Sequence, residues 1–60
     1  MDYEALTKWT AIYVRNDKPE DIKELDVFAE TAFTAWWNAM SVIQIIEKTE
    51  EFNLKSVNPK

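Results

Sequence analysis

The chain has 60 residues, 11 of them acidic and 7 basic, for a net charge of −4, and it contains no Cys, His or Gly. That composition excludes disulfides, thiolate or imidazole metal sites, Ser–His and Cys–His nucleophiles, and Gly-rich phosphate loops. A chain so short buries a modest share of its surface, so it gains from dense packing or from a second copy of itself.

In chain order, a first helix is expected over residues 3–15. Asp2 suits its N-cap and Glu4 the positive end of its dipole. Ala5, Leu6, Trp9, Ile12 and Tyr13 share one face, and Glu4, Lys8 and Arg15 lie opposite. Asn16, Asp17, Lys18 and Pro19 break the helix, and Pro19 fits the first turn of the next. The break is short, so the two helices should lie antiparallel as a hairpin.

A second, longer helix is expected over 19–51. Ile22, Leu25, Ala29, Ala32, Trp36, Ala39, Ile43 and Ile46 follow at alternating steps of three and four, with no Gly or Pro between them. This is the seam of a helix packed along another helix. Phe28, Ala35 and Val42 flank one side, and Phe33 and Met40 the other. Val27, Trp37 and Ile45 lie off the stripe. In the tail, 52–60, Phe52, Leu54 and Val57 alternate weakly and Asn58-Pro59 terminates. The tail is loosely ordered unless Phe52 and Leu54 dock back.

At 1.5 Å per residue the helices would measure about 20 and 45 Å, so the first covers half of the second. The predicted class is therefore all-α: a helical hairpin that dimerises into a four-helix bundle. Ala32, Trp36, Ala39, Ile43 and Ile46 would form the dimer interface. A break near Asn38, giving a monomeric three-helix bundle, is the competing arrangement.

For function, the leading expectation is a small non-enzymatic protein that pairs with itself and acts as adaptor, regulator or inhibitor of another protein. Short chains of this type are frequent among phage and plasmid accessory proteins. Trp37, Met40 and Ile45 are the candidate partner anchors, because exposed aromatic and apolar groups concentrate binding energy. No cofactor or metal is expected.

The second reading is a nucleic-acid-binding hairpin dimer using Lys8, Arg15, Lys18 and Lys23, against which the acidic balance argues. The third is a Mg²⁺-dependent all-α hydrolase. It would use Asp21, Glu24, Glu47 and Glu50, since hard cations take carboxylate oxygen. Dipole complementation and surface charge explain those carboxylates more simply.

Residues 27–46 are long enough to span a membrane. However, Glu30, Thr31, Thr34, Asn38, Ser41 and Gln44 gather on one side, as in an amphipathic helix in water. No signal-peptide pattern opens the chain, so a cytoplasmic protein is expected.

Overall fold

A computed structural model describes residues 6–60. The first element is a strand, β1 (Thr7–Arg15). Its sequence, TKWTAIYVR, is dense in Thr, Trp, Ile, Tyr and Val, the residue types that fit a pleated, half-buried surface. Trp9, Ala11 and Tyr13 turn to one face, and Thr10, Ile12 and Val14 to the other.

Asn16 and Asp17 form the turn into β2 (Lys18–Ala29), which runs antiparallel to β1. Arg15 pairs with Lys18 but Val14 pairs with Ile22, so Pro19, Glu20 and Asp21 bulge from the ladder. Beyond the bulge, Lys23, Leu25, Val27 and Ala29 share the face of Tyr13, while Ile22, Glu24, Asp26 and Phe28 point away.

A bend at Glu30 and Thr31 leads to α1 (Ala32–Glu47). The last strand is β3 (Phe52–Pro59), and the sheet order is β2-β1-β3. Both outer strands run antiparallel to β1, so they are parallel to each other. A connection between parallel strands has to cross back over the sheet, and α1 is that crossover.

Two local devices bound α1. Thr31 is extended (φ −136°, ψ 161°), and its hydroxyl accepts the backbone N–H of Thr34 at 3.2 Å, which is an N-cap. At the other end Lys48 is left-handed (φ 58°, ψ 33°) and stops the helix.

The core lies between α1 and one face of the sheet. Ala11, Tyr13, Val27, Ala29 and Leu54 meet Ala35, Ala39 and Ile43 there, with Trp9, Leu25, Met40, Phe52 and Val57 around them. Four of these residues are fully buried alanines, two from the sheet and two from the helix. Small side chains on both layers let the helix backbone approach the strands closely. Ile43 is the one large side chain buried without remainder among the described residues.

These elements overturn the all-α hairpin and the four-helix bundle. The expected first helix is β1, because Trp9 and Tyr13 fit a two-residue repeat through Ala11 as well as a helical one. Its proposed N-cap Asp2, with Tyr3, Glu4 and Ala5, lies outside the described residues. The expected second helix is a strand, a bend and a helix half the predicted length. Ile22 and Leu25 are three apart, which places them on opposite faces of β2. Their match to the heptad is a coincidence of spacing.

With the long helix gone, so is the argument that its far half must be covered by a second hairpin. The chain does reverse at Asn16 and Asp17, but the turn joins two strands and not two helices, and Lys18 and Pro19, expected in the break, belong to β2. The tail does dock back: Leu54 is buried and Phe52 sits edge-on to the Tyr13 ring, centroids 6.3 Å apart. Among the described residues no helix is long and apolar enough to cross a membrane.

Candidate interaction surface

The helix α1 carries two rows of side chains at four-residue spacing. Ala35, Ala39 and Ile43 form the row against the sheet, each with no exposed surface. Phe33, Trp37, Ser41 and Ile45 form the row that faces solvent. Phe33 is 73% exposed, Trp37 57% and Ile45 75%. Each step of four drifts by only ~40° around the axis, so both rows are continuous ridges.

The usual size order is therefore inverted. Alanines sit inside, where close approach to the sheet requires them, and aromatics sit outside. The ring of Phe33 meets that of Trp37 edge-on, centroids 6.2 Å apart, so the two make one apolar surface.

The row itself holds no charged side chain, and the nearest carboxylate, Glu50, accepts from Gln44 Nε2 at 3.3 Å beside it. Glu47 is the one charged residue of α1, and it points inward. Its carboxylate, 7% exposed, accepts the Tyr13 hydroxyl at 2.8 Å and contacts Arg15 Nη1 at 3.4 Å and Lys23 Nζ at 3.2 Å. The Tyr13 hydrogen bond, followed by Lys23 and Arg15, outweighs the cost of desolvation and lowers the Glu47 pKa. Burial, reinforced by the same carboxylate, pushes the Tyr13 phenol up to about 12. This cluster ties the last turn of the helix to the centre of the sheet.

At the other end of α1, Asn38 Nδ2 donates to the Phe28 carbonyl at 3.2 Å, and Trp9 Nε1 donates to the Ala29 carbonyl at 3.0 Å. The first ties the helix to the end of β2 and the second ties β1 to β2, and neither engages the outer row.

Of the expected dimer-interface residues, Ala39 and Ile43 are inside this chain's own core and cannot reach a second copy. Ala32, Trp36 and Ile46 are exposed, Trp36 at 39% and Ile46 at 53%, but they lie on other sides of α1 than the Trp37 row. Of the expected partner anchors, Trp37 and Ile45 share the solvent row, and Met40 is half-buried against the core. Phe33, expected to flank the buried seam, is instead 73% exposed and extends the row toward the helix start. Its four-residue spacing from Trp37 was the signal for it.

The four basic residues do not form a free patch. Arg15 forks onto Asp17, with Nε and Nη2 both at 3.0 Å, and Lys23 is held by Glu47. Lys8 stands between Asp26, at 4.0 Å, and the Phe28 ring, 6.0 Å from its centroid. Lys18 is exposed in the turn region.

Asp21, Glu24, Glu47 and Glu50 do not converge, and among the described residues no three acidic groups come together as metal ligands would. No cavity opens among them either. Comparison with known protein families, characterised proteins and solved structures gave no match.

Proposed function

We propose that this chain is a small non-enzymatic interaction module whose working surface is the outer row of α1, Phe33–Trp37–Ser41–Ile45. One observation carries the reading: a sixteen-residue helix whose solvent side has large apolar side chains and no charge at all. A surface helix ordinarily carries its charges outward; here the polar groups on that side are the uncharged Thr34, Asn38, Ser41 and Gln44, and Phe33, Trp37 and Ile45 stand among them. The sheet covers one side of α1. Contiguous exposed apolar patches of this kind mark protein-binding surfaces, and Trp is enriched at their energetic centres. The compactness of the fold without Cys fits action in a reducing interior such as the cytoplasm.

The test is substitution at the row. Trp37→Ala and Ile45→Lys change side chains that face water, so helical and sheet circular dichroism and the thermal midpoint should stay within a few degrees of the parent. Association, read by solution mass or by binding to a partner, should be lost. A collapse of the thermal midpoint in both variants would show that these side chains serve the fold, and would overturn the reading.

Nucleic-acid binding draws no support from this geometry, because Lys8, Arg15 and Lys23 all face carboxylates. A metal-dependent hydrolase draws none, because its four carboxylates are dispersed.

A further inference from the structure

We infer that the outer edge of β2 is a docking site for an extended, basic segment of another protein, which joins the sheet as a fourth strand beside Ile22–Asp26. This edge is separate from the Phe33–Trp37 row, and its occupant can dock whether or not that row is filled.

First, the backbone of this edge is open. The Lys60 N–H donates to the Lys8 carbonyl at 2.8 Å. Residues of an antiparallel strand turn their backbone groups to alternate sides, so Lys8, Thr10 and Ile12 serve β3, and Trp9, Ala11 and Tyr13 serve β2. Their partners on β2 are Val27, Leu25 and Lys23, which leaves Ile22, Glu24, Asp26 and Phe28 with N–H and C=O groups turned outward. The Asn38 amide takes the Phe28 carbonyl at 3.2 Å and closes that end of the edge. Ile22, Glu24 and Asp26 remain, and a run of outward backbone groups is what strand addition uses.

Second, the flanks of this edge are apolar and uncovered. The helix α1 packs chiefly on β2, an edge strand, so it overhangs the sheet. Ile46 shows the overhang. It shares a side of α1 with Ala39 and Ile43, yet it is 53% exposed where they have no exposed surface. Val42, one turn beyond Asn38, lies along the flank that Asn38 joins to β2, and it is half-buried. On the opposite face of the sheet Ile22 is exposed. A fourth strand turns alternate side chains to these two faces and covers both.

Third, charge selects the occupant. Glu20, Asp21 and Glu24 are exposed and make no ion pair among the described residues, while Lys23 is turned to Glu47. Lys18 alone opposes them on this strand. Two copies paired β2 to β2 about Glu24 would set carboxylate against carboxylate, and like charges directly opposite are destabilising. A lysine or arginine across from Glu24 makes the favourable cross-strand pair. The docked segment is therefore basic on the open face and apolar toward α1, in alternation.

The experiment uses the full chain, ¹⁵N-labelled, with two synthetic heptapeptides as probes. One alternates lysine and valine, and the other has glutamate in place of lysine. Amide exchange along the chain is read by NMR with either peptide at millimolar concentration. The lysine peptide should slow the Glu24 and Asp26 amides about tenfold or more, and the glutamate peptide should leave them unchanged. Glu24→Pro removes an N–H that β1 does not use, so the sheet is kept and the response of Asp26 should vanish. Glu24→Lys keeps the N–H, reverses the charge, and should lose most of the response even if the proline variant fails to fold. Trp37→Ala should respond like the parent, which separates this edge from the outer row of α1.

Unchanged Glu24 and Asp26 amides at millimolar lysine peptide overturn the inference, and so does equal slowing by both peptides. Slowing confined to Leu54 and Val57 places the added strand on β3 and overturns it too. So does a doubled mass without peptide in which the Glu24 and Asp26 amides are already slowed, because the edge then belongs to a second copy.

Discussion

The hydroxyl of Tyr13 donates to the carboxylate of Glu47 across 2.8 Å, joining the C-terminal part of the central strand to the last turn of the helix. The two residues are 34 apart in sequence, and the bond closes the crossover against the sheet. It also makes stability depend on pH at both ends of the scale. Glu47 has a lowered pKa, so its contribution is present above the ordinary carboxylate range and is lost as pH falls through the folded value. Tyr13 has a pKa raised from 10 to about 12, so its contribution is complete below pH 10 and is lost as pH rises toward 12.

Tyr13→Phe should remove the alkaline loss. It should also shift the acid loss to higher pH, because the Tyr13 hydroxyl is the largest cause of the lowered Glu47 pKa. Urea midpoints measured across the pH range would show this; an unchanged profile would mean that the bond contributes nothing to stability.

The close approach of helix to sheet leaves no room for larger side chains. Ala39→Leu should cost roughly 1–3 kcal/mol through overpacking. Ile43→Ala, which empties the largest fully buried position among the described residues, should cost about 2–5 kcal/mol. If Ala39→Leu were neutral in chemical denaturation, the alanine layer would not be setting the spacing.

Lys48 holds a left-handed conformation that costs an L-residue roughly 1–2 kcal/mol, and glycine adopts it without that cost. Lys48→Gly should therefore raise stability by about 0.5–1 kcal/mol. A loss instead would show that the Lys48 side chain makes a contact worth more than the strain.

The cap at the opposite end can be tested alone. Thr31→Ala removes the acceptor for the Thr34 N–H and should cost about 0.5–2 kcal/mol, while Thr31→Ser should restore most of it. Equal loss in both variants would assign the effect to the Thr31 methyl group.

Particular residues show how much was legible beforehand. Asn16, Asp17 and Pro19 punctuate the chain where it turns, whichever element type flanks them. The core role of Trp9 was visible, but Phe28, Phe33 and Trp36, which the same reasoning places inside, are exposed; Trp37 and Ile45 lay off the expected stripe with Val27, and of the three Val27 is buried. The element types of residues 7–29 were not. Trp9, Ala11 and Tyr13 satisfy two repeats at once, and Thr7, Thr10, Ile12 and Val14 supply the β-branched bias that decides between them.

The heptad through Ile22, Leu25 and Ala29 continued into a real helix, which hid the bend at Glu30 and Thr31. No Gly or Pro marks that bend, and a threonine cap is a weaker signal than either. The inverted size order of α1 was legible only in part: Ala39 and Ile43 lay on the expected seam, but Trp36 was expected on it too and Phe33 beside it, and both are exposed.

The strand order β2-β1-β3 makes one pairing of β1 local and the other long-range. The β1–β2 hairpin is local and can form within ~1–10 μs, but β3 pairs with β1 across more than thirty intervening residues and must wait for the crossover to close. Until then β1, the most β-prone segment of the chain, presents an unpaired edge. On the ribosome that interval lasts for as long as it takes to synthesise α1 and β3. The eight-residue β3 covers that edge and makes β1 the central strand, and the edges that remain belong to β2 and β3.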